Sequence, residues 1–156
     1  MFDVAVAGHF AIDSIFLPYR QKPFIVLGGS AAYVSFAARR LDATVGVVSK
    51  VGGDFPGAYL WWLRQEGIDL SRVVRDESAQ TTRYELKYSN DLSNRSLQLK
   101  SRAPSITVDD LTESLKARAI HVAPIAGEIT YEVVERLKEC AEVLSFDPQG
   151  LVRAFD

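Results

Sequence analysis

The stretch LGGSAAYVSFAARRLDATVGVVSKVGGDFPG, Leu27–Gly57, decides how the rest of the chain is read. It opens on the pair Gly28-Gly29. Ser30 to Leu41 follows as a run of small, apolar and finally basic residues without Gly or Pro, and it predicts a helix. Thr44 to Ser49 then reads as a strand, and Gly52-Gly53-Asp54 with Gly57 closes the stretch as a turn. A glycine pair before a helix lets backbone N–H groups approach a ligand closely, because no Cβ intervenes and the first-turn donors lack intrahelical partners. By itself such a doublet is more often a simple turn than a site.

Composition bounds the remaining possibilities. With 156 residues, 47% hydrophobic and 24% charged, the chain is long enough for one globular domain with a real core. A net charge of −2 and the absence of any basic run give no reason to expect nucleic acid or an anionic membrane as partner. No apolar stretch is long enough to span a bilayer, and Met1-Phe2-Asp3 leads straight into a strand pattern, so a cytoplasmic protein is expected. Cys140 is the only cysteine; it cannot form an intrachain disulfide and is read as an inert core thiol.

Outward from the central stretch, Phe2 to Gly8 is a short apolar run ended by Gly, as a buried central strand requires. His9 to Asp13 leaves its C-terminal end, where ligands bind in open α/β sheets. His9 has no second His, Cys or carboxylate at ligand spacing and is read as a loop residue. Ile15-Phe16-Leu17 and Phe24-Ile25-Val26 make two short strands about a polar turn. Phe55 to Glu66 predicts a helix burying Leu60, Leu63 and Trp61, stopped by Gly67. Val73-Val74, Thr81 to Tyr88 and Ser96 to Leu99 are β segments, the last two joined through a turn at Ser89 to Ser93. Alternation then returns: helix Val108–Lys116 capped by Thr107, strand Ala119–Ala123, helix Thr130–Cys140 and strand Val143–Phe146. His121, inside an apolar strand, is read as a satisfied core imidazole. Repeated strand-helix-strand units build a parallel sheet with helices on both faces.

Several spaced pieces together resemble the ribokinase-like, or PfkB, carbohydrate kinases. They are the pair Gly28-Gly29, the helix ending Ala37-Ala38-Arg39-Arg40-Leu41, the strand Thr44–Ser49 and the turn Val51-Gly52-Gly53-Asp54-Phe55-Pro56-Gly57, which fits V-G-x-D-x-x-G. The resemblance implies the N-terminal part of a ribokinase-type domain over residues 1–156: α/β, a partial doubly wound, Rossmann-like parallel sheet, with a small β-sheet lid from about 14–26 and 80–100. In that family an aspartate spaced from the first strand as Asp13 is from Gly8 accepts hydrogen bonds from two substrate hydroxyls, a task that suits an acceptor-only carboxylate. The glycine pair Gly28 and Gly29 helps orient the acceptor hydroxyl. Where the family commonly has Asn, this chain has Tyr33, which is read either as a reshaped pocket wall or as packing against the sheet. Arg95, after the lid turn, is a further candidate contact.

The family's reaction is transfer of the ATP γ-phosphoryl group, with Mg²⁺, to a hydroxyl of a sugar, polyol or nucleoside. Its catalytic aspartate lies in a late G-A-G-D motif, and no such motif occurs in this sequence. No catalytic residue is therefore assigned here: the expectation is a substrate-binding part of a larger kinase, with the C-terminal ATP-binding part absent, inactive alone and binding no cofactor tightly. Lid strands could also pair between two copies. The alternative from another class is a non-catalytic small-molecule-binding module or subunit of a kinase-like assembly. A generic dinucleotide-binding domain fits less well, since Gly8-His9-Phe10 lacks G-x-G-x-x-G.

Overall fold

The computed structural model describes residues 1–112 and 114–153. In chain order its elements are β1 (Phe2–Ala7), β2 (Ala11–Phe16), β3 (Phe24–Gly28), α1 (Ser30–Arg40), β4 (Val45–Gly52), α2 (Gly57–Gln65), β5 (Ile68–Asp76), β6 (Thr82–Tyr88) and β7 (Arg95–Ser101). A single 3₁₀ turn at Val108–Asp110 leads to β8 (Ala117–Val122), α3 (Tyr131–Lys138), β9 (Ala141–Phe146) and the short α4 (Gln149–Val152).

Five strands form a parallel sheet in the order β5-β4-β1-β8-β9, with β1 at its centre. A central parallel strand is covered on both faces, so Phe2–Ala7 is apolar apart from Asp3 near its start, which bonds Thr44, and shows no clean alternation. Val6 packs with Val45, Val47 and Leu63 beneath α1 and α2, while Ala5 and Ala7 pack with Ile120, Val133 and Leu137 on the α3 side. Strand order reverses at β1: the chain moves to β4 and β5 on one side and then crosses to β8 and β9 on the other. A crevice opens at the strand ends beside such a reversal.

A second sheet, β3-β2-β6-β7, consists of two antiparallel pairs joined through parallel β2 and β6. Its buried side, with Ala11, Tyr84 and Leu86, packs on Ile125 and Ala126 just beyond β8. The second sheet thereby roofs the C-terminal end of the first.

Several local expectations change. The helix expected over Val108–Lys116 is not found among its described residues: helical backbone ends after Asp110, and Leu111 turns to extended backbone (φ −91, ψ 92). The side chains of Thr112 and Ser114 instead receive hydrogen bonds from Arg72, at 3.0 and 2.9 Å. Trp61 is exposed rather than buried, and Trp62 leans on Phe36 with ring centroids 4.7 Å apart. Val73-Val74 belongs to a strand running over Ile68–Asp76. Cys140 is buried beside the carbonyl of Arg136.

The two histidines exchange the settings expected of them. His9 is fully buried: its Nδ1 lies 2.9 Å from Thr82 Oγ1 and its Nε2 3.0 Å from the carbonyl of Pro104. His121 is only half-buried and bonds Ser145 Oγ at 2.8 Å. Among the described residues no helix is long and apolar enough to cross a membrane.

Candidate functional site

A cavity of about 550 Å³ lies between the second sheet and the C-terminal ends of β1, β8 and β9. Its roof is Asp13 and Ile15 of β2, Tyr84, Leu86 and Tyr88 of β6, and Arg95 and Leu97 of β7. Those residues alternate along their strands, so one face of the sheet turns all of them toward the cavity. The floor comes from Gly29, Ser30 and Tyr33 at the start of α1, from Ile125, and from Asp147, Gln149 and Arg153 beyond β9.

Asp13 sits on β2 between Val26 of β3 and Tyr84 of β6. Among the described residues no donor hydrogen-bonds its carboxylate and no cation pairs with it. Burial raises its pKa above the ordinary 3.8, against the pull of Arg153 and Arg95. A half-buried carboxylate left with open acceptor positions is the feature that calls for a ligand.

Gly28 and Gly29 do different work. A Cβ on Gly28 would lie 2.1 Å from Asp13 Oδ2, so the carboxylate occupies the space a side chain would take. Gly28 itself is not part of the cavity wall. Gly29 holds φ +91, and a Cβ there would lie 2.5 Å from the carbonyl of His9. That backbone starts α1 with no side-chain cap; Ala32 and Tyr33 donate to the Gly29 carbonyl, and the N–H groups of Ser30 and Ala31 are left without a partner among the described residues where Gly29 and Ser30 meet the cavity. Ser30 Oγ donates to Gln149 Oε1 at 3.2 Å and reaches Asp147 Oδ2 at 3.5 Å, tying α1 to the chain after β9.

Tyr33 is 62% exposed at the rim, so packing against the sheet does not account for it. Tyr84 donates its hydroxyl to the carbonyl of Ile125 at 2.5 Å, and burial pushes its pKa up to about 12 even with Arg153 nearby. Arg95 donates to the Tyr88 hydroxyl at 3.2 Å, and the Arg153 guanidinium lies 5.7 Å from the centre of the Tyr84 ring.

The pfkB family carbohydrate kinase model matches residues 1–149. The chain belongs to the pfkB family of carbohydrate kinases. Cytidine kinase of Thermococcus kodakarensis is 30% identical over 151 residues, which cover 95% of this chain and 52% of that protein. Inositol 3-kinase of Oryza sativa subsp. japonica is 32% identical over 138 residues, covering 83% and 33%. A sulfate complex of a pyrophosphate-dependent kinase in the ribokinase family superposes with a TM-score of 0.81 at 27% identity, over 97% of this chain and 52% of that one. The chain spans at most about half the length of these pfkB and ribokinase-family relatives.

Four of the five residues singled out from the sequence, Asp13, Gly29, Tyr33 and Arg95, thus border one cavity, with Gly28 directly behind Asp13. Tyr84, Tyr88, Ser30, Asp147, Gln149 and Arg153 were not singled out. A signal existed for the tyrosines, which share one strand face with Leu86. Asp147, Gln149 and Arg153 follow a strand end, where ligands bind in open α/β sheets.

Asp54, in the turn after β4, reaches across to β6. Its carboxylate accepts from Thr81 N at 2.7 Å and from Arg83 at 2.8 and 3.0 Å.

Proposed function

We propose that this chain is the acceptor-binding part of a kinase that phosphorylates a hydroxyl of a sugar, polyol or nucleoside. The carrying observation is the Asp13 carboxylate, without a hydrogen-bond partner among the described residues, inside a 550 Å³ cavity that also meets the start of α1. The volume suits a single small polyhydroxylated molecule. An ionised carboxylate only accepts, so two neighbouring hydroxyls of the acceptor fit it, with Gly28 leaving room for the geometry. Held this way, the acceptor loses freedom before any transfer step, which is how positioning lowers a barrier. Relatives named for cytidine, inositol and 2-dehydro-3-deoxygluconate support the acceptor class without choosing within it.

ATP with Mg²⁺ as phosphoryl donor is part of the same proposal for the whole enzyme. No group of three or more His, Cys, Asp or Glu among the described residues is placed to hold a metal ion. No step through Mg²⁺ is assigned to them. A cytoplasmic setting, and pairing of two copies along the second sheet, belong to this reading as well; exposed Phe24 and Ile25 on the sheet's β3 edge support the latter.

Calorimetric titration with myo-inositol, cytidine and 2-dehydro-3-deoxygluconate tests the acceptor site. A hydrogen bond to a charged acceptor is worth about 1.5–3 kcal/mol, so Asp13→Asn should weaken the bound compound roughly 10–100-fold. An unchanged dissociation constant in a folded Asp13→Asn chain sinks the assignment.

A further inference from the structure

Two guanidinium groups reach the cavity from separate elements. Arg95 opens β7 in the roof, and Arg153 follows α4 in the floor. Arginines on a protein surface commonly pair with a neighbouring carboxylate, and Arg40, Arg75, Arg83, Arg118 and Arg136 do so among the described residues. Neither Arg95 nor Arg153 takes part in an ion pair among the described residues. Each is steadied by an aromatic side chain instead: Arg95 by the Tyr88 hydroxyl, Arg153 by the Tyr84 ring. A neutral phenol orients a guanidinium without neutralising it, so the charge and most of the five donors remain available.

The two cavity carboxylates do not absorb these charges. Asp147 is engaged by Ser30 and by the backbone N–H of Gln149. Asp13 forms no hydrogen bond or ion pair with either arginine among the described residues; their charges only pull against the rise that burial causes in its pKa. The cavity thus has an acceptor-only group and two unspent cations over separate parts of its lining. A ligand complementary to both must carry hydroxyls at one end and an anion at the other.

We infer that the acceptor is an anionic polyhydroxylated molecule, its carboxylate or phosphate held by Arg95 and Arg153 while its hydroxyls meet Asp13. This rests on the acceptor-binding reading of the same cavity. Planar guanidinium donors match the paired oxygens of either anion, and the charge-assisted bonds are about twice as strong as neutral ones. The shared chemistry is an oxyanion on the acceptor; whether carbon or phosphorus bears it is left to the measurement.

The experiment titrates the chain with 2-dehydro-3-deoxygluconate, glucose 6-phosphate and myo-inositol, each at low and high salt, and repeats the titrations with Arg95→Gln, Arg153→Gln and Asp13→Asn. Pyrophosphate alone is included. One of the two anions is expected to bind tightest, and which one identifies the source of the oxyanion. Each arginine substitution should weaken it about 10–100-fold and leave any myo-inositol binding unchanged. Added salt should weaken the anion and spare myo-inositol, a wild-type readout that stands even where a variant fails to fold.

Binding of myo-inositol as tightly as the anions, sensitive to Asp13→Asn and indifferent to both arginines, overturns this inference and leaves the acceptor site standing. Arginine-dependent binding of pyrophosphate with no anionic acceptor bound overturns it in favour of a donor-phosphate role. A folded chain that binds none of the compounds overturns both readings together.

Discussion

Burial of Asp13 works against the folded state wherever the carboxyl is ionised. Its folded pKa is raised above 3.8, so between 3.8 and that higher value the folded chain binds more protons than the unfolded one. Stability contributed by the group is present below that window and is lost as pH rises through the folded pKa. Asp13→Asn should therefore raise the melting temperature at pH 7 and do so less at pH 3, while ligand affinity falls. An equal change at both pH values would show that the charge is not the cause.

His9 has the opposite dependence. Nε2 faces a carbonyl and must donate, so Nδ1 accepts from Thr82 and the ring is neutral. Burial lowers its pKa below 6.5; the Glu128 charge opposes this, and Arg102 and Lys50 add to it. The unfolded chain then binds the extra proton first as pH falls. Stability is fully present above about 6.5 and should decline below it, by at most about 1.4 kcal/mol per pH unit for one group. Urea midpoints across pH 5–8 should show the decline in the wild type and lose that component in His9→Gln.

At the scale of elements, Glu128 joins the strand ends beneath the site. It is fully buried, and its carboxylate accepts from His9 N, Ile125 N and Ala126 N at 2.8–3.0 Å. These bonds fix the end of β1 and the turn that carries Ile125 into the cavity wall. Removing the carboxylate strands three buried donors, each costing about 1–3 kcal/mol. Glu128→Ala should cost on the order of 3–5 kcal/mol, seen as a lower denaturant midpoint, and Glu128→Gln clearly less because its amide oxygen still accepts.

This is also the scale at which the sequence stops being legible. Gly28-Gly29 and the Ser30–Arg40 run announce α1 because their information is local. Leu111 and Leu115, four apart and both buried, imitate a helix, and only the distant Arg72 shows where the hydroxyls of Thr112 and Ser114 go. His9 and His121 are misjudged for the same reason: their partners come from β6, Pro104 and β9. Asp13, Tyr33 and Arg95 could be flagged by motif, whereas Arg153 and Tyr84 become neighbours only once the second sheet closes over β9.

At the scale of the molecule, two sheets meet over the cavity, and β5 and β9 are the edge strands of the first. β9 pairs with β8 along one edge and with no strand along the other among the described residues. Val143 and Phe146 on this strand are 57% and 45% exposed, and Leu151 and Val152 just beyond it are 61% and 76% exposed. An open strand edge bordered by apolar side chains is a template for pairing with another chain, because its N–H and C=O groups are exposed beside surface that water solvates poorly. The chain on its own should self-associate with rising concentration, and β9 should be the contact. Val143→Lys places a charge on that edge without entering the core, so it should shift sedimentation toward the monomer while leaving the melting temperature within a few degrees. A monomer at every concentration would refute the prediction, whereas association that ignores Val143→Lys but responds to charges placed at Phe24 and Ile25 would move the contact to the β3 edge of the second sheet. That outcome would strengthen the pairing of two copies over the acceptor cavity.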